Sequence, residues 1–140
     1  MSAMGDPRLD IWNVLHDGEI TIIHRDSPDV VVMFVSIPYV RRRIQPLGDS
    51  FRLRLCGFRG MAFSYDIDQD TFTELDYIEG FEILDILSDT MPAMIQLAEG
   101  RLMLDFDSLD ISLDSGQSVT YEEVRRVAQD YWDEFAARTK

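Results

Sequence analysis

The apolar positions of this chain change period several times, and each change marks an element. Between Asp29 and Ile37, the residues Val30, Val31, Val32, Phe34, Val35 and Ile37 form a run of mostly β-branched and aromatic side chains. Such side chains are stiff at χ1 and suit a pleated surface, so the run predicts a buried strand that Pro38 ends. Further on, Phe51, Leu53 and Leu55 alternate with Arg52, Arg54 and Cys56. That period of two belongs to a strand with one buried face and one wet face. The connection from Arg43 to Asp49 is punctuated by Pro46 and Gly48, so the two strands are expected to pair antiparallel at the centre of a sheet.

Other elements gather around this pair. Met1 to Gly5 is expected to be a loose terminus. Asp6 before Pro7 has the chemistry of an N-cap and a first helical residue, and Leu9, Trp12 and Leu15 or His16 give a stripe for a short helix ending at Gly18. Glu19 to Arg25, bounded by Asp17-Gly18 and Ser27-Pro28, reads as the first strand. Met61, Phe63 and Tyr65 alternate with Ala62 and Ser64 as a later strand. Asp66 to Thr73 reads as an acidic loop, and Leu75 to Leu87, interrupted by Gly80, as strand, bulge, strand. A helix over Tyr77 to Leu87 is the alternative.

Met94 to Ala98 is a short strand before the Glu99-Gly100 turn. From Arg101 onward Leu102, Leu104 and Phe106 share a face, and then the phase shifts to Leu109, Ile111 and Leu113. A slip of one residue reverses every side chain, so a bulge or turn is expected near Ser108. Asp105 and Asp107 suit Arg52 and Arg54 as cross-strand partners if those strands are neighbours.

After Ser115-Gly116-Gln117-Ser118, Thr120 and Glu123 form a capping box, and Val119 with Val124 forms a hydrophobic staple. Val124, Val127, Ala128, Tyr131 and Phe135 then follow at helical spacing, so an amphipathic helix is expected over residues 119–138. Several strands and one late helix, without regular βαβ alternation, predict an α+β fold. Its sheet is mostly antiparallel, a meander or sandwich-like arrangement, and the C-terminal helix packs on it. One domain spans residues 1–140, with no internal repeat.

Composition narrows the function. With 46% hydrophobic and 28% charged residues the chain belongs with globular proteins, and 140 residues bury enough surface to fold without staples. A single cysteine excludes an internal disulfide, Met1 to Arg8 lacks the features of a signal peptide, and no apolar run is long enough to span a bilayer, so a reducing cytoplasm is the expected compartment. The net charge of -13 argues against nucleic-acid binding, because a phosphate backbone repels such a surface. It favours encounter with a basic partner. The acids are also concentrated: Asp66 to Asp89 contains nine and no Lys or Arg.

Candidate chemistry is sparse. Asp66, Asp68 and Asp70 begin like a calcium loop, but Thr71 and Tyr77 stand where that loop needs Gly and Glu, so a solvated acidic loop is expected and no metal. Asp105, Asp107 and Asp110 are read in the same way. His16 and His24 have neither metal-motif nor dyad spacing, and Cys56 has no recognisable partner. No cofactor motif is present. The basic patch Arg41, Arg42 and Arg43 fits a phosphate or an acidic partner, but consecutive residues on a corner diverge, which favours pairing with the chain's own acids or solvent. Trp12, Tyr39, Tyr131 and Trp132 are candidate exposed aromatics. Trp132, at the rim of the helix stripe, is the foremost.

Ser36-Ile37-Pro38-Tyr39-Val40-Arg41 followed by Gly48-Asp49-Ser50-Phe51 resembles a pattern in small bacterial proteins without assigned activity. The resemblance implies a bacterial source and assigns no functional residue. Taken together, the residues predict a non-enzymatic acidic protein-binding module, most concretely an immunity protein that inhibits a basic bacterial toxin such as a nuclease. Asp66, Asp68, Asp70, Glu74, Asp76 and Trp132 are the expected partner-binding residues. The alternatives are a housekeeping or small-ligand-binding domain, and a small enzyme with an Arg/carboxylate pocket.

Overall fold

Asp6 accepts the backbone N–H of Arg8 at 3.0 Å, and Pro7 stands at the first helical position, where its missing N–H costs nothing. These two residues start α1 (Pro7–Val14). The computed structural model describes residues 5–64, 73–74 and 80–138. The chain continues through β1 (Glu19–Ser27), β2 (Val30–Ser36), the one-turn α2 (Pro38–Arg41), β3 (Ser50–Cys56), β4 (Gly60–Ser64) and β5 (Thr73–Glu74). Then come β6 (Phe81–Ile86), β7 (Ala93–Leu97), β8 (Arg101–Asp105), β9 (Ser108–Leu113), β10 (Ser118–Val119) and α3 (Tyr121–Arg138). The fold is α+β, and the described strand pairs are all antiparallel.

The strands lie in the order β10-β9-β3-β2-β1-β6-β7-β8-β4-β5. Two meanders, β1-β2-β3 and β6-β7-β8, meet where Glu19 and Ile20 pair with Glu82 and Phe81. The expected central pair is β2 with β3, in register from Val30 opposite Cys56 to Ser36 opposite Ser50. Phe51, Leu53 and Leu55 are fully buried, as their alternation predicts.

Chain continuity bends the sheet back on itself. β3 runs into β4 through residues 57–59, and β8 runs into β9 through residues 106–107, so the β3:β9 ladder continues as β4:β8. Asp107 N–H donates to the Cys56 carbonyl at 2.9 Å, and Arg59 N–H to that of Asp105 at 2.8 Å, which stitches the corner. The phase shift near Ser108 is therefore a sheet corner rather than a bulge within one strand. It also corrects the expected ion pairs: Asp105 and Asp107 pair with Arg59, whereas Arg52 lies opposite Ser112 and Arg54 opposite Asp110.

Inner faces from both halves fill one core, which includes Ile20, Met33, Leu53, Ile83, Ile95 and Leu104. α1 packs against β6, β7, β9 and α3 and buries Leu9, Asp10, Ile11, Trp12 and Val14. Trp12 is thus a core residue, not an exposed aromatic, and its Nε1–H donates to the Arg8 carbonyl at 2.8 Å. Val119 belongs to β10, so the C-terminal helix begins two residues after the expected start. The strand reading holds over Phe81–Ile86, against the helical alternative; residues 77–79 lie outside the described residues, as do 66–72 of the expected acidic loop. No helix among the described residues is long and apolar enough to cross a membrane.

Gly57 makes the corner possible. It has φ +66°, and a Cβ there meets the Asp107 side chain at 2.4 Å. Gly57→Ala is expected to lower unfolding free energy by about 1–2 kcal/mol, the ordinary cost of the left-handed region. Gly60→Ala, with nothing within 4 Å of the added carbon, is expected to stay within about 0.5 kcal/mol. Urea unfolding of the two variants measures the difference, and equal losses would refute this account of the corner.

Candidate functional site

The arginine corner folds inward. Pro38 opens α2, and on one helical turn successive side chains point about 100° apart. Arg41 consequently enters the core with 0% exposure, while Arg42 and Arg43 leave it. Arg41 Nη2 lies 2.6 Å from Asp114 Oδ1, Nε donates to that oxygen and to the Ser50 carbonyl, and Nη1 donates to the Gln45 carbonyl at 3.2 Å. Asp114 Oδ2 accepts the N–H groups of Asp49 and Ser50 at 3.0 and 3.2 Å. Gly48, at φ +102°, leaves room: a Cβ there meets Arg41 Nη2 and Asp114 Oδ1 at 2.5 Å.

Arg42 Nε donates to the Gly48 carbonyl, and Arg43 pairs with Glu134 while lying 5.4 Å over the Tyr131 ring. The three side chains thus diverge: Arg41 is internal, Arg43 is paired with Glu134, and Arg42 is exposed. Burial tends to raise the Asp114 pKa, but the Asp49 N–H, the Arg41 guanidinium and the Ser50 N–H outweigh it and hold the carboxyl below its ordinary 3.8.

The same turn builds a surface. Thr120 Oγ1 accepts the Glu123 N–H at 3.1 Å and Glu123 Oε1 accepts the Thr120 N–H at 3.2 Å, so the capping box fixes the start of α3. Val124 and Ala128 are buried, and Tyr121 donates its hydroxyl to the buried Asp10 of α1. Burial and then that hydrogen bond raise the Tyr121 pKa. The first half of α3 is docked by these contacts.

The second half carries aromatic rings. Trp132 stacks on His16 at 4.6 Å and meets Phe135 edge-on at 5.6 Å, while Tyr131 lies 4.5 Å from Tyr39. Phe135 is 43% exposed. The Tyr39 hydroxyl donates to Asp17, and burial, followed by that bond, raises its pKa. His16 Nδ1 lies 2.8 Å from the Asn13 carbonyl, which fixes the ring under the indole. Trp132 Nε1 is buried and has no hydrogen-bond partner among the described residues. A cleft of about 110 Å³ beside it runs between α1 and α3, lined by Asp10, Asn13, His16, Arg125, Gln129 and Trp132 among others. Asp130, Asp133 and Glu134 stand on the same half of the helix.

Of the expected partner-binding residues, Trp132 lies in this surface. Asp66, Asp68, Asp70 and Asp76 lie outside the described residues, and Glu74 is in β5, where its backbone pairs with Ala62. Sequence reasoning missed His16 and Phe135 as members of the surface. The signal for Phe135 was the spacing Tyr131-Trp132-Phe135 at the end of a helix whose buried stripe is too short to use all three rings, whereas His16 joins them only through the packing of the chain after α1 against α3. Among the described residues no group of His, Cys, Asp or Glu can hold a metal ion. No protein-family model matches the chain, and searches of curated proteins and of solved structures find no significant match.

The Arg41–Asp114 clamp gives a test of the corner. Asp114→Asn leaves a buried guanidinium short of its counter-charge and is expected to cost about 3–5 kcal/mol at neutral pH. Because the folded-state pKa of Asp114 is depressed, its contribution is complete above 3.8 and is lost as pH falls through the folded value. Urea midpoints of wild type and Asp114→Asn should therefore converge on acidification. A constant gap down to strongly acidic pH would assign the loss to packing instead.

Proposed function

We propose that this chain is a non-enzymatic, acidic protein-binding module that uses the outer end of α3 to hold a basic protein, most concretely as an immunity protein or inhibitor of a bacterial toxin. The observation that carries the reading is the aromatic surface of Tyr39, Tyr131, Trp132 and Phe135. Its rings pack on one another, and Phe135 is 43% exposed. Aromatic anchors of this kind dominate protein interfaces, and the chain's net charge of -13 suits a cationic partner.

Charge allocation supports the sign of that partner. Arg8, Arg41, Arg43 and Arg59 are held by Asp6, Asp114, Glu134 and the pair Asp105 and Asp107. Four of the 13 basic residues are thus tied up in the architecture, while the chain's charge stays at -13. Such a field speeds the approach of a basic protein and is screened by salt.

Co-purification of the tagged chain from its host at low and high salt, with bound proteins identified by mass spectrometry, tests the reading. One stoichiometric basic protein is expected. With that protein in hand, Phe135→Ala and Trp132→Ala should each weaken binding about tenfold or more, mainly through the off-rate. Reversal of Asp66, Asp68 and Asp70 to lysine should slow association at low salt. Absence of any stoichiometric partner, or full affinity in both aromatic variants, would overturn the proposal.

A further inference from the structure

A second feature lies away from the aromatic surface, on the outward face of the β3 end of the sheet. Arg52 and Arg54 are two residues apart on β3, so both project from the same face with their Cβ atoms about 7 Å apart. The register sets two rows across the sheet. One runs Phe34, Arg52, Ser112, Ser118, and the other Val32, Arg54, Asp110.

These rows border an open cleft of about 580 Å³, lined in part by Arg52, Arg54, Asp110, Ser112, Ser118 and Thr120. That volume is in the range of small-molecule sites. Arg52 is half-buried and Arg54 exposed, and neither makes an ion pair or hydrogen bond among the described residues. The hydroxyls of Ser112 and Ser118 make none either.

Arg125 and Arg126 of α3 likewise make no ion pair among the described residues, so what sets Arg52 and Arg54 apart is their shared face on one strand beside a cleft. Arg25 in β1 and Arg59 at the sheet corner are engaged by a ring or by carboxylates, and Arg41 and Arg43 are paired. Two adjacent like charges on one face raise the energy of the fold, yet the rows place one acid, Asp110, beside them, and it forms no ion pair with either. Asp114, also on the cleft wall, is committed to Arg41.

We propose that the cleft binds the phosphate group of a small molecule, gripped by Arg52 and Arg54 and oriented by Ser112 and Ser118. Each guanidinium presents a planar fork that takes two oxygens, and a phosphate has enough oxygens for both forks, whereas a single carboxylate does not. The hydroxyls across β9 and β10 can donate to what remains. Asp110 opposes the anion and sets its affinity low in the absence of further ligand contacts. The site is independent of the protein-binding reading, since it shares no residue with the aromatic surface.

The test follows the Arg52 and Arg54 Nε–H signals by NMR while inorganic phosphate is added at constant ionic strength, with succinate and chloride in parallel titrations. A saturable shift of both signals with phosphate is expected. Arg52→Gln and Arg54→Gln should each weaken it about tenfold, and Asp110→Asn should strengthen it. Arg54 is exposed and Arg52 half-buried, so a urea melt of each variant establishes that it folds before its phosphate response is read. A response that chloride reproduces, an equal response to succinate, or unchanged affinity in both arginine variants would overturn the assignment.

Discussion

A guanidinium with 0% exposure is the constraint on which the corner of this protein depends. Removing such a group from water costs several kcal/mol, so it persists only where a counter-charge and carbonyls converge on it. Here Asp114 comes from just after β9, the Ser50 carbonyl from the start of β3 and the Gln45 carbonyl from the connection between α2 and β3. Asp114 in turn holds the N–H groups of Asp49 and Ser50, so one ion pair satisfies the polar groups of three segments. A lysine has no planar fork and could not replace the arginine.

That inward residue also decides what faces outward. Tyr39 and Arg43 flank Arg41 in and just after the same turn, so anchoring Arg41 aims its neighbours at α3. Tyr39 meets Tyr131, and Arg43 meets both the Tyr131 ring and Glu134. From the other side, α1 places His16 under Trp132. The aromatic surface therefore rests on two fixed supports, although the helix that carries it is buried mainly through Val124 and Ala128. Rings held in this way lose little freedom on binding, which is what an interface anchor requires.

The local elements were legible because each depends on signals within a few residues. Asp6-Pro7, the β-branched run before Pro38, the alternation of Phe51 to Cys56 and the Thr120–Glu123 box all predict what is found. What could not be read was the joining of distant segments. The phase break near Ser108 was visible, but its meaning, a corner shared by two strands that each continue into a second strand, depends on the pairing of residues nearly fifty positions apart. Hence the condition for pairing Asp105 and Asp107 with Arg52 and Arg54, that their strands be neighbours, is one the sequence leaves open, and the corner gives both acids to Arg59 instead. The burial of Arg41 was hidden for the same reason, since its partner Asp114 lies 73 residues away.

The two binding proposals call for partners of opposite sign, and the range of electrostatic forces reconciles them. A net charge of -13 acts over the whole molecule and repels an approaching anion, but at 0.1 M salt its reach falls off over about 10 Å. Contacts at hydrogen-bond distance are screened far less. An anion held between Arg52 and Arg54 therefore depends on local geometry, and added salt weakens the repulsion it meets on approach. A basic protein gains from the long-range field and loses that gain as salt rises. One acidic surface can thus steer a large cationic partner while a local pair of arginines retains a small anion.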